Sequence, residues 1–155
     1  MKRDAILESL GYPLDLVPQP AALYRPVRIV GGIAYASGAL PMAGPQGTLA
    51  TGILKKGDDL AEAQGAARLC AANILRALRA ELGTLDLVKS AIRVGGFIAS
   101  APDFTNQHLV LNGASELLVQ VLGEAGVHAR AAVGVASLPL GAVVEVEATF
   151  VVDLP

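Results

Sequence analysis

Residues 130–152 read Arg-Ala-Ala-Val-Gly-Val-Ala-Ser-Leu-Pro-Leu-Gly-Ala-Val-Val-Glu-Val-Glu-Ala-Thr-Phe-Val-Val. Two strands are written here, Ala131 to Ser137 and Val143 to Val152, joined by Leu138-Pro139-Leu140-Gly141. The second alternates along its length. Val144, Val146, Ala148, Phe150 and Val152 share one face, and Glu145, Glu147, Thr149 and Asp153 share the other. A period of two puts successive side chains on opposite faces of a sheet, so this strand has one buried and one polar face.

Upstream, the period changes. Leu60, Ala63, Ala67, Cys70, Ile74, Leu78 and Leu82 recur at spacings of three and four, which predicts a helix with one buried stripe. Asp58 or Asp59 is placed to cap its start and Gly83 to end it. Arg68, Arg76, Arg79 and Glu81 fall off the stripe and are expected to face solvent. A second helix is expected to open at Pro102-Asp103-Phe104 and run to about Leu122, with Leu109, Leu111, Leu117, Leu118 and Val121 as apolar positions. Between the helices, Ser90 to Ile98 reads as a strand with a bulge or bend at Gly95-Gly96.

Nearer the N-terminus, Val27 to Val30 and Ile33 to Ser37 flank Gly31-Gly32, a pair that can hold two positive φ angles in a hairpin turn. Residues 38 to 52 read as a loop, with room for an edge strand near Leu49 to Ile53. Residues 3 to 10 form a short helix stopped by Gly11 and Pro13, followed by an extended connector. The order is hairpin, helix, strand, helix, two strands. That pattern is an α+β sandwich, a single domain spanning 1–155: one mixed sheet with two long helices on one face. Residues 1–19 are an N-terminal helical extension and connector, and 20–155 the core. No third long helix remains to cover the other sheet face, so self-association is expected.

Composition narrows function by exclusion. Hydrophobic residues make up 53% and charged residues 17%, which favours an apolar surface facing another subunit. The net charge is −2 with no basic stripe, so nucleic acid is a poor partner. Residues 29–54 carry no charge, but glycines and prolines interrupt them, so no membrane span is expected. The single Cys70 permits no intrachain disulfide, fits a reducing cytoplasm, and reads as a buried small hydrophobe. His108 and His128 lack partners at metal-ligand spacing, and no phosphate loop or serine-nucleophile elbow is present.

Arg130 and Glu145 remain. Arg130 opens a strand of Ala, Val and Gly, where a charged group must find a partner or reach water. It is either a strand-end arginine reaching solvent or a clamp that holds a ligand carboxylate through two parallel hydrogen bonds. Glu145 is either a solvated strand residue, like Glu147 beside it, or a proton-transfer group. The pairing does not set Glu145 directly opposite Arg130, so cooperation would run diagonally or across a subunit boundary.

The run from Arg130 through Leu138-Pro139, followed by Val144-Glu145-Val146-Glu147-Ala148, resembles the C-terminal signature of the RidA (YjgF-like) family. Ala36-Ser37-Gly38-Ala39-Leu40-Pro41 resembles that family's Thr-Ser-Gly-x-x-Pro segment. Tyr24 stands at the family's distance before it, and Pro102-Asp103-Phe104 is similar to the Asp-Phe ahead of the second helix. The resemblance spans about residues 20 to 152, and the N-terminal helix suggests a longer branch.

The resemblance implies a chorismate-mutase-like fold and a homotrimer with clefts between subunits. It implies hydrolysis of small enamines or 2-imino acids to 2-oxo acids and ammonia, without a cofactor. Arg130 would hold the ligand carboxylate and Glu145 would assist the attacking water. Tyr24, Ser37 and Gly38 would line the cleft. His108 falls where the family often has Asn, as a lining residue or a plain surface histidine. Ala131 and Ala132 replace a hydroxyl and a thiol usual in the deaminase branch. Two alternatives stand beside this reading: a non-catalytic binder of small carboxylates, and a ribonuclease or translation inhibitor, against which the acidic balance weighs.

Overall fold

The structure, a computed structural model, describes residues 2–20, 22–44 and 47–154. Its elements are α1 (Arg3–Ser9), β1 (Val27–Val30), β2 (Ile33–Ala39), α2 (Ala61–Leu82), β3 (Val88–Ala99), α3 (Gln107–Leu122), β4 (Ala129–Val135) and β5 (Val144–Val152). The strands form one mixed sheet in the order β1-β2-β5-β3-β4, all neighbours antiparallel except β3 and β4. A parallel pair needs a crossover, and α3 supplies it.

Gly31 and Gly32 take φ of 57° and 77°, the two positive angles the hairpin requires. β5 is central and buries Val144, Val146, Ala148, Phe150 and Val152, as its alternation predicts. Complete burial of a side chain such as Phe150 contributes about 1.5–3 kcal/mol. α2 lies against β2 and β5, α3 against β3 and β4, and the two helices pack on each other. Their approach is close because Gly113 of α3 has no Cβ. An added one would stand 2.1 Å from the Gln64 carbonyl oxygen of α2. The other sheet face carries Tyr35 and Val133, 51% and 46% exposed, with Phe97 and Glu145 in register beside Val133.

Several sequence expectations need correction. Arg76 does not face solvent but is 2% exposed. Its Nε donates to Pro13 O at 2.7 Å, its Nη1 donates to Asn73 Oδ1 at 2.9 Å, and its guanidinium lies over the Tyr12 ring. It ties the connector to α2, a partner that helical periodicity cannot reveal. Asp4 and Arg3 secure α1 in a similar way. Asp4 accepts from Leu85 N and pairs with Arg79, while Arg3 donates to the carbonyls of Leu85, Val88 and Leu122.

Pro102-Asp103-Phe104 precedes α3 rather than opening it. A turn from Ala101 O to Phe104 N buries Phe104, and the helix starts at Gln107. Leu109 is exposed, off the buried stripe. Gly95 and Gly96 keep register with both neighbours, and the irregularities of β3 fall at Val88/Ser90 and Ala91/Arg93. The glycines make room instead for Glu147 on one face and Leu111 on the other. Near residues 49–53 there are isolated bridges, Met42 to Leu49 and Thr51 to Ala142, and no strand. Leu60 holds the cap position of α2, although the Asp59 carboxylate does accept from Ala61 N at 2.9 Å. Asp58 turns back to Lys55 N.

Candidate functional site

The residues singled out by sequence fall into two groups. The first gathers where β2 leaves β1 behind. Ser37 N donates to Pro26 O and Ser37 Oγ to Arg25 O, at 2.9 and 2.7 Å, which fixes this strand end against the segment carrying Tyr24. Glu145 projects from the open face of β5 toward Gly38. A Cβ on Gly38 would lie 2.2 Å from Glu145 Oε1, so the glycine is the space the carboxylate occupies. Ala22, Tyr24, Leu40 and Pro139 complete an open cleft of about 400 Å³ around them.

Partial burial pushes the Glu145 carboxyl above the ordinary glutamate range, and the neighbouring Glu147 charge adds to the shift. A carboxylate so placed is a better proton acceptor than a fully solvated one. The joining turn leaves Leu140, a non-glycine residue, at φ 58°. That left-handed backbone costs about 1–2 kcal/mol.

The second group lies at the other side of the sheet. Arg130 of β4 turns toward α3 rather than to free solvent. Its Nη1 donates to Ser115 Oγ, and its Nη2 to Asn112 Oδ1 and the His108 carbonyl, each at 2.9 Å. Behind Ser115 stands His128. His128 Nδ1 lies 2.6 Å from Gly126 O, which can only accept, so Nδ1 carries a proton. In the neutral ring Nε2 is then the acceptor for the Ser115 hydroxyl at 2.9 Å. Two hydrogen-bond partners thus hold Ser115 in place, and Ser115 in turn helps to hold Arg130.

Sequence reasoning missed Asn112, Ser115 and His128. A signal was present: His108, Asn112 and Ser115 form a polar stripe at four- and three-residue spacing in an otherwise apolar helix. The exposed His108 side chain makes no hydrogen bond to Arg130, which donates to its backbone carbonyl.

The two groups do not converge within one chain. Arg130 pairs with Val94 and faces the helices, whereas Glu145 pairs with Phe97 and faces away from them, with β3 between β4 and β5. Cys70 is fully buried against β5, and burial raises its thiol pKa far above the ordinary value, which leaves it unreactive. Among the described residues no cluster of three or more His, Cys, Asp or Glu is placed to hold a metal. No helix among them is long and apolar enough to cross a membrane.

A mixed five-stranded sheet carrying two long helices on one face is the α+β architecture of the chorismate-mutase-like proteins. The model of the YjgF/chorismate mutase-like, putative endoribonuclease family matches residues 5–150, and the chain belongs to this YjgF/RidA-like family. It is 43% identical over 145 residues to Protein TCP17 of Trypanosoma cruzi, covering 93% of this chain and 90% of that one. Among solved structures it is similar to a protein of unknown function from Agrobacterium tumefaciens, with 47% identity, TM-score 0.86 and coverage of 98% and 94%. It is also similar to RidA from the Antarctic bacterium Psychrobacter, with 28% identity, TM-score 0.64 and coverage of 89% and 95%.

Proposed function

We propose that this protein hydrolyses small enamines or 2-imino acids to 2-oxo acids and ammonia, in the cytoplasm, at clefts between the subunits of a homotrimer. The supporting observation is the division of the site. Glu145 with Tyr24, Ser37 and Gly38, and Arg130 with its α3 partners, are surface groups on opposite sheet faces. One chain cannot bring them together, and a second copy laid against the open face can.

Arg130 takes the ligand carboxylate and so orients the imine carbon toward Glu145. Glu145 accepts a proton from water as its oxygen bonds to that carbon. Glu145 passes that proton to the imine nitrogen, giving a neutral carbinolamine. It then relays the hydroxyl proton to the amino group as the C=O bond forms and the C–N bond breaks, so that ammonia leaves a 2-oxo acid and Glu145 is again a carboxylate. The imine carbon is already electrophilic, so no cofactor is required. The loss of hydroxyl and thiol at Ala131 and Ala132 favours a second reading, a trimer that only binds small carboxylates. A ribonuclease needs a positive surface for phosphates, and a net charge of −2 works against it.

The test is ammonia release from imines generated in situ by an amino-acid oxidase, with and without the protein, alongside sedimentation at micromolar concentration. A rate increase and a trimer are expected. Arg130-dependent binding of 2-oxo acids without turnover would leave the binder, and a stable monomer would remove the shared cleft.

A further inference from the structure

Beside the Glu145 cleft a second hollow opens between the connector, the end of β2 and α2. Both are walled by Tyr24, Ser37, Gly38 and Leu40, so they adjoin. Ile74 and Ala77 of α2 line its inner side, and Pro18, Pro20 and Met42 close it from outside. Its enclosed space is about 80 Å³. A water-sized group needs as much as about 15 Å³ by the same measure, and at that allowance about five heavy atoms fit.

Its less exposed polar neighbours, Asn73 and Ser37, are already satisfied by the protein. Asn73 Nδ2 donates to Leu40 O and Met42 O, both at 3.0 Å, and its Oδ1 accepts from Arg76. Ser37 Oγ donates to Arg25 O. Gln19 and Tyr24 are exposed, at the rim. A polar occupant would therefore lose hydration with little in return, whereas an alkyl group loses none. The walls are also fixed. Arg76 fastens the connector through Pro13 O and Tyr12, and Asn73 fastens the loop that carries Met42.

We infer that this hollow receives the substrate's side chain, and that the preferred substrates are 2-imino acids with an aliphatic side chain of about three to five carbons. The inference rests on the reaction proposed above and adds its specificity. With the reacting carbon at Glu145 and the carboxylate directed to Arg130 of a neighbouring subunit, the third substituent on that carbon is left to extend past Gly38 into the hollow.

The experiment uses the intact protein and imines generated by an oxidase from alanine, 2-aminobutyrate, norvaline, norleucine and phenylalanine. In parallel, the ¹³C-methyl signals of Met42 and Ile74 are followed by NMR during titration with pyruvate or 2-oxohexanoate. Expected kcat/KM rises roughly fourfold per methylene up to the norleucine-derived imine and drops for the phenylalanine-derived one. 2-Oxohexanoate, but not pyruvate, shifts both methyl signals. Ala77→Leu fills the hollow and collapses the norleucine-to-alanine ratio of kcat/KM. Ile74→Ala enlarges it and moves the optimum to longer chains, a gain that misfolding cannot mimic.

Ammonia release that ignores chain length, or ratios unchanged in both variants, overturns the hollow while leaving the deaminase standing. Methyl shifts that Ala77→Leu abolishes, without release from any imine, overturn the reaction and support the hollow as a binding site. The absence of both ammonia release and methyl shifts overturns the inference.

Discussion

Gly38→Ala sets a methyl carbon 2.2 Å from Glu145 Oε1 and 2.9 Å from its Cδ. The backbone at Gly38 does not take a positive φ, so alanine itself is conformationally acceptable. The obstacle is the far end of a flexible side chain, and Glu145 can rotate away at a cost of about 0.5–1.5 kcal/mol. For a chain of this size that lowers Tm by only about 1–6 °C.

The carboxylate, however, leaves its place. Misplacing a reacting group by about 1 Å can cost 10²-fold, and general-base assistance is worth roughly 10²–10⁴-fold. Ammonia release should therefore drop at least about 10²-fold while the protein stays folded. Gly113→Ala is the matched opposite. There the new carbon meets the Gln64 backbone oxygen at 2.1 Å and its carbonyl carbon at 2.9 Å, and backbone cannot rotate aside. Overpacking costs about 1–3 kcal/mol, offset by about 0.5–1 kcal/mol of helix propensity. Gly113→Ala should lower Tm by up to roughly 10 °C with turnover per folded molecule retained. Calorimetry and the coupled ammonia assay read both variants. Full activity in Gly38→Ala would refute the role given to the Glu145 carboxylate.

Glu145→Gln should lose turnover and keep affinity for an unreactive 2-oxo acid, whereas Glu147→Gln changes little; equal small effects would make Glu145 an ordinary strand residue. Burial, and then Glu147, raise the folded-state pKa of Glu145, so the native state holds its proton to higher pH than the unfolded chain does. Stability from this group is complete below the ordinary glutamate range and is lost as pH rises through the folded value. Glu145→Gln should thus have the higher Tm at neutral pH, with the gap closing on acidification, and parallel Tm–pH curves would contradict this. Arg130→Ala should weaken 2-oxo acid binding by about 2–5 kcal/mol and Arg130→Lys should also bind poorly; unchanged calorimetric affinity would move the site elsewhere. Arg76→Met strands the Pro13 carbonyl and Asn73 Oδ1 and should cost about 1.5–3 kcal/mol per bond lost, with faster amide exchange in residues 3–15 as the local readout.

The sequence by itself determined the local structure. The alternation of residues 144–152 assigned β5 its buried face, Gly31-Gly32 marked the hairpin, and the stripe from Ala63 to Leu82 located α2. It also singled out Arg130 and Glu145, because charged positions stand out against apolar strands, and Tyr24, Ser37 and Gly38 through their resemblance to a family motif. These features were legible because strand and helix periods repeat within a few residues. The tertiary structure decided what depends on distant partners. Arg76 lies off the stripe by period yet is buried, because Tyr12 and Pro13 reach it from the connector. Gly95-Gly96 looks like a bend, but its absent side chains make room for Glu147 and Leu111. Above all, strand order inserts β3 between β4 and β5, sending Arg130 toward the helices and Glu145 away from them. Neither that order nor the hollow beside Gly38 has a local period, since each is set by packing between segments many residues apart.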